Sequence, residues 1–387
     1  MRLPALALLA LLALVVVVSG CSGDDADSTP PSTTGVASST TAQVPGTTAA
    51  PPSTGTVSPS TTSSMSGAAT TTTITPTSTS LSQLVPPIEL ELVAYPVPAG
   101  SRPHDVAPAA DGGVWYTAQR VGELGWLDPA SGETRHIPLG AGSAPHGVIV
   151  GPDGDPWITD GGLNAIVRVD AATDEVEVFP LPADRPGANL NTAVFTPAGL
   201  LWFTGQDGIH GVLDPATGEM EVFSSPRGRG PYGITVTPGG DVYYASLAGS
   251  YVGMVAPDGT VTELEPPTPG QGARRVWSDS AGSIWVSEWN SGQLSRYVPE
   301  TGEWTTWTLP GDDPQTYAVY VDDTDIAWVS DFGGNAIHRF DPATETFATF
   351  PLPSNPGNVR QLLGRPGEVW GAESAADQLV VIRRTDG

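Results

Sequence analysis

From residue 86 onward a unit of about 42 residues recurs, and this periodicity constrains the fold more than any other feature of the chain. Aligned on one aromatic position, the repeats place Trp115, Trp157, Trp202, Tyr243, Trp285, Trp328 and Trp370 at spacings of 42, 45, 41, 42, 43 and 42 residues. Within a unit, apolar residues alternate with a period of two, as in Ile166-Val167-Arg168-Val169, the pattern of short strands. Turn sequences separate these runs, such as Pro152-Asp153-Gly154 and Asp214-Pro215-Ala216-Thr217-Gly218. Four strands per unit and seven units predict an all-β protein, a seven-bladed β-propeller.

The seventh unit supplies only three strands, near 359–363, 369–373 and 378–382. The segment 90–97 ends in Tyr95-Pro96-Val97-Pro98, which matches the outer-strand endings Phe179-Pro180-Leu181-Pro182 and Phe350-Pro351-Leu352-Pro353. The N-terminal strand is therefore expected to complete the last blade and close the ring, removing an exposed edge.

The repeat also points to a site. Inner strands line the channel, and their starting position reads His104, His146, Asn191, Tyr232, Arg274, Tyr317 and Val359. The end of each second strand reads Ala118, Asp160, Gly205, Ser246, Glu288, Asp331 and Glu373. Because His146 and Asp160 are equidistant from Asp153, they are expected to face each other across the strand pair. Variety at equivalent positions is what one asymmetric pocket in a pseudo-symmetric ring requires. Asp160, Glu288, Asp331 and Glu373 around one channel mouth suit oxygen ligation of Mg²⁺, with Ca²⁺ as the alternative. The other reading of these acids is that they cap loop amides or face solvent. His146, or alternatively His104, is the candidate base; either could instead be a hydrogen-bonded channel residue. Arg274-Arg275 could place one guanidinium, that of Arg274, in the channel to hold a carboxylate or carbonyl, or could pair with neighbouring acids such as Glu288. Tyr232, Tyr317, Trp289 and Asn191 are candidate ligand contacts. His136, His210 and His338 fall outside the ring and are expected at the surface. Asn164 and Asn335 follow glycine pairs where a left-handed turn is expected.

With Trp285-Val286-Ser287-Glu288-Trp289-Asn290-Ser291-Gly292 and Trp328-Val329-Ser330-Asp331-Phe332-Gly333-Gly334-Asn335, the repeats resemble the virginiamycin B lyase family. The resemblance covers about residues 90–385. It implies a seven-bladed propeller that opens streptogramin B cyclic depsipeptides by Mg²⁺-dependent elimination at the ester, without water. It further implies a proton-transferring histidine at the start of an inner strand, a glutamate fourteen residues later that helps hold the metal, and a glutamate two residues before the histidine. His146 and Asp160 match that spacing with aspartate for glutamate, and Ala144 stands where the other glutamate would be. His104 has Ala118 and Arg102 at the corresponding positions. A metal-assisted carbon–oxygen lyase and a non-catalytic propeller that binds a ligand at the cell surface both remain open.

Before the repeats, Arg2 and the apolar run from Leu3 to Val18 read as a signal segment. Its end, Val18-Ser19-Gly20-Cys21, resembles the lipobox of bacterial lipoproteins, which makes Cys21 the expected lipidation site and residues 1–21 the signal peptide. Residues 22–85 are a disordered linker by composition: 39 of the 64 are Ser, Thr or Pro, and none is aromatic. Residues 86–387 form the propeller. The expected location is outside the cytoplasm, held to the bacterial cell membrane by lipid alone. Cys21 is the only cysteine, which excludes disulfides and a thiol nucleophile from the folded part. All 16 basic residues are arginine, and the net charge of −26 argues against nucleic acid as a partner. The expected partner is a small molecule or cyclic peptide at the channel mouth of a monomer.

Overall fold

The computed structural model describes residues 89–385. Cys21, the signal segment and the linker to residue 85 lie outside the described residues. Among those described are 28 strands and no helix, arranged as seven four-stranded antiparallel sheets. Blade 1 runs outward from the channel as Pro103–Pro108, Val114–Ala118, Glu123–Leu127 and Thr134–Pro138. The inner strands of blades 2 to 7 are Pro145–Val150, Leu190–Phe195, Pro231–Val236, Ala273–Ser278, Thr316–Val321 and Val359–Arg365. Each packs against the inner strand of the next blade, and the seventh packs against the first.

Closure follows the expectation. Leu90–Pro96 pairs antiparallel with Gln378–Arg384, from Leu90↔Arg384 to Pro96↔Gln378, as the outer strand of blade 7. Asn164 and Asn335 have φ of 53° and 48°, the left-handed turn their positions suggested. The side-chain carbonyl of each accepts an amide of the following loop, from Ala188 and Gly357 respectively.

The recurring aromatic residue packs between blades. Trp115 meets Val148, Ile158 and Val167 of blade 2, and Trp370 meets Val106, Val114 and Tyr116 of blade 1. Burying an indole removes roughly 150–250 Å² from water, about 4–6 kcal/mol at ~25 cal/mol per Å². An acid in or just after the turn between first and second strands fixes several of these rings. The indole N–H groups of Trp285, Trp328 and Trp370 donate to Asp279, Asp322 and Glu368 at 2.9, 2.8 and 2.8 Å. One turn residue thereby shapes both the hairpin and the blade interface.

A second recurring device lies nearer the channel. In blade 2 the Thr159 hydroxyl accepts the Gly147 amide at 2.9 Å and donates to the Asn191 carbonyl of blade 3 at 2.6 Å. Thr117 does the same between Asp105 and His146, at 3.0 and 2.9 Å. Ser287 links Arg275 to Tyr317 at 3.0 and 2.7 Å, and Thr204 links Thr192 to Tyr232. Thr159→Val keeps the volume but orphans the buried Gly147 amide and leaves the Asn191 carbonyl with His146 alone. It is expected to cost about 1–3 kcal/mol in urea unfolding. A loss within about 0.5 kcal/mol would show that the bridge is dispensable.

Candidate functional site

Every inner strand breaks its ladder near its start. Pairing is irregular between Pro103 and Val106, Pro145 and Gly147, Leu190 and Ala193, Pro231 and Ile234, Ala273 and Arg275, Thr316 and Val319, and Val359 and Leu362. Bulges leave an extra residue outside the ladder and re-aim its side chain. Two expectations are corrected by this. Asp160 pairs with Pro145 rather than His146, because the bulge displaces the histidine by one position. In blade 7, Val359 pairs with Glu373 as Pro145 does with Asp160, so Arg360 occupies the channel position assigned to Val359. The ring is His104, His146, Asn191, Tyr232, Arg274, Tyr317 and Arg360, each at most 8% exposed.

The two histidines meet. Their ring centroids lie 3.8 Å apart with planes at 46°. His104 Nδ1 lies 2.7 Å from Asp105 Oδ1, so Nδ1 carries the proton and Nε2 is the basic nitrogen. His146 Nδ1 lies 3.0 Å from the Asn191 carbonyl, and the Asn191 amide reaches His146 Nε2 at 3.1 Å. Asp105 is also held by Arg275 of blade 5 at 3.0 Å. Burial opposes its charge, but Arg275 first and His104 next outweigh that and hold the carboxyl below the usual carboxylate range. Arg275 further donates to Thr192 at 2.7 Å, and Thr192 donates to the Asn191 side chain at 2.7 Å. The network thus runs from His104 through Asp105, Arg275, Thr192 and Asn191 to His146. It crosses the channel and roofs a small cavity of about 60 Å³ lined by Val148, Val276 and Leu362.

Opposite lies an aromatic sector. Tyr232, Tyr317 and Trp289 form one buried cluster, with Leu247 and Phe332 packed against it. The hydroxyls of Tyr232 and Tyr317 bond to each other, and Arg360 donates to Tyr317 at 3.3 Å. Arg274 does not pair with Glu288; its guanidinium lies among Tyr232, Trp289 and Tyr317.

The four acids expected as oxygen ligands sit in different blades and bond to their own surroundings. Asp160 accepts the amides of Ala144, Gly162 and Leu163 and the Ser143 hydroxyl. Glu288 accepts Ser291 and Ser295 at 2.7 and 2.6 Å. Asp331 accepts the Gln315 amide at 2.7 Å and faces His338 at 3.3 Å, and Glu373 accepts Gln378. Among the described residues the group that could hold a metal ion is instead His104, Asp105 and His146, which offer one ligand atom each within 4.8 Å of one another. His210 and His338 are buried rather than superficial, and His136 is half-buried between Tyr116 and Glu123. His210 bonds the Gly259 carbonyl at 2.9 Å, and burial, only partly offset by that bond, lowers its pKa.

The sequence matches the description "Virginiamycin B lyase family" over residues 77–312. The chain belongs to the virginiamycin B lyase family. A search of curated protein sequences found no match. Among solved structures, a streptogramin B lyase aligns with TM-score 0.70 and 21% identity, covering 76% of this chain and 98% of that one. A catalytically inactive histidine-to-alanine variant of virginiamycin B lyase from Staphylococcus aureus, with quinupristin, aligns with TM-score 0.70 and 19% identity, covering 76% and 99%. The extracellular domain of a hybrid two-component system from B. thetaiotaomicron aligns with TM-score 0.60 and 16% identity, covering 75% and 42%. At these identities the likeness is one of fold.

Within this member of the virginiamycin B lyase family, sequence reasoning named Arg275 only beside Arg274, as one of two guanidinium groups for the channel, and missed Asp105 and Arg360. A signal was available for Asp105 and for its pairing with Arg275. They occupy the position after the ring residue, where blades 2 and 4 carry Gly147 and Gly233. A Cβ at Gly233 would lie 2.6 Å from the Arg275 Cα, so that glycine makes room for the crossing arginine.

Burial holds the Glu288 carboxyl above its usual range, and the bonds from Ser295 and Ser291 offset this only in part. A raised folded-state pKa stabilises the fold fully below the unfolded value of 4.5 and ceases to as pH rises through the folded value. Glu288→Gln, which cannot ionise, should therefore gain in Tm on the parent between about pH 4 and about pH 8, by on the order of 2 °C. An equal gap at both pH values would contradict this account of Glu288.

Proposed function

We propose that this chain is a lyase of the virginiamycin B type that opens an ester by elimination, with His104 as the base. The observation that carries the reading is the Asp105-anchored imidazole of His104 packed on His146 at the channel mouth. A carboxylate on Nδ1 fixes the ring and makes Nε2 the more basic nitrogen. The Nδ1 of His146 lies on a neutral carbonyl and that of His104 on a carboxylate, so of the two histidines His104 is the better base. His104 Nε2 takes a proton from the carbon next to a carbonyl. The carbon–oxygen bond on the following carbon breaks, a double bond forms, and the oxygen leaves with its electron pair as a carboxylate. No water is consumed, so the product is an isomer of the substrate. Tyr232, Tyr317 and Trp289 provide the aromatic wall against which a cyclic peptide or related ester would lie. That a histidine replacement inactivates the S. aureus lyase supports an imidazole at the centre of the chemistry.

The fold family implies Mg²⁺, and the residues present do not fit it. Mg²⁺ favours an octahedral shell of oxygens. The triad offers two imidazoles and one carboxylate, a set better suited to a softer divalent ion, and the other acids are committed to amides and hydroxyls. Millimolar Mg²⁺ should leave the Tm of the protein unchanged; a saturable rise would reveal an oxygen-ligand site that these residues do not form.

The same commitment of acids favours a second reading, a propeller that binds its ligand without breaking a bond. In either case we place the protein outside the cytoplasm as a monomer, lipid-anchored through Cys21, with the linker as a tether. The extracellular propeller among the structural neighbours is consistent with that location.

Incubation of the protein with quinupristin, followed by chromatography and mass spectrometry, tests the lyase reading. A linear product of unchanged mass is expected. His104→Ala should lower turnover by roughly 10²–10⁴-fold, with Asp105→Asn falling in between. A product one water heavier would mean hydrolysis, and tight binding with no product would leave the binding-only reading.

A further inference from the structure

The channel mouth of this strongly acidic chain is basic. Arg274, Arg275 and Arg360 converge there, each at most 8% exposed. Among the described residues of the network Asp105 is the one carboxylate, and Arg275 takes it. Arg274 has no acidic partner among the described residues. Its guanidinium carbon lies 3.5, 4.5 and 4.8 Å from the ring centroids of Tyr317, Trp289 and Tyr232. One Nη donates to the Tyr232 hydroxyl at 3.2 Å, while the buried Nε has no hydrogen-bond partner among the described residues. Aromatic faces attract a desolvated guanidinium through their quadrupoles, but they do not neutralise it. A buried charge without a counter-ion is costly. Arg360 reaches the same tyrosine hydroxyl pair from blade 7, so two guanidinium groups flank one point of the ring.

We infer that this sector is an anion site, built for the carboxylate of a small organic acid whose apolar part lies on the aromatic cluster. The planar fork of Arg274 matches a carboxylate. Tyr232, Trp289 and Tyr317 hold the guanidinium and present an apolar face to the rest of the ligand. The site stands on the buried charge of Arg274, which no acid among the described residues balances, and holds whether or not a bond is broken next to it.

Isothermal titration of the full chain with N-acetylphenylalanine, its amide and inorganic phosphate tests the inference. The acid should bind, and the amide should bind at least tenfold more weakly, as should phosphate. Arg274→Gln should weaken the acid at least tenfold, whereas Arg296→Gln, on the third strand of the same blade, should not. Equal binding of acid and amide, or retention by Arg274→Gln, would overturn the site. So would no binding of the acid at millimolar concentration, or tighter binding of phosphate. The contrast between acid and amide is read on the unaltered protein, so it stands even where Arg274→Gln fails to fold.

Discussion

The bulge near the start of each inner strand, and the hydroxyl that in four blades ties it to the neighbouring blade, is the interaction on which the site depends. A bulge releases a backbone amide from the ladder, and a buried amide must find a partner. Thr117, Thr159, Thr204 and Ser287 supply that partner, and each passes its own proton to the carbonyl of the channel residue in the next blade. The carbonyls so fixed belong to His146, Asn191, Tyr232 and Tyr317. A device that mends the backbone of one blade therefore sets the position of a site residue in its neighbour. Ring closure by Leu90–Pro96 keeps the set in register.

The ring itself was legible in the sequence because it rests on periodicity. A strand alternates every two residues, a blade repeats about every 42, and a missing outer strand at one end had its matching ending at the other. The site was legible in part. Six of its seven ring positions follow from alignment of the repeats, since equivalent residues occupy equivalent places. The seventh failed because blade 7 offers Val359 and Arg360 side by side, and only the pairing of Val359 with Glu373 decides between them.

What spacing could not supply was the direction of the side chains. A fourteen-residue separation places His146 and Asp160 near one turn, yet a one-residue bulge sends the histidine to the channel and leaves the aspartate on loop amides. Net charge misled in a related way. Acids outnumber arginines heavily over the whole chain, but among the described residues Arg274 and Arg360 stand in the channel ring itself, where no carboxylate does. Arg275 reaches Asp105 across blades that are not neighbours, and no local pattern predicts such a contact.

The central claim is that Asp105 fixes His104 with its proton on Nδ1. Long-range proton–nitrogen NMR of the imidazoles in the full chain, at neutral pH, reads this directly. His104 is expected to carry a proton on Nδ1, and Asp105→Asn is expected to abolish this preference. A His104 protonated on Nε2 alone in the unaltered protein would contradict it.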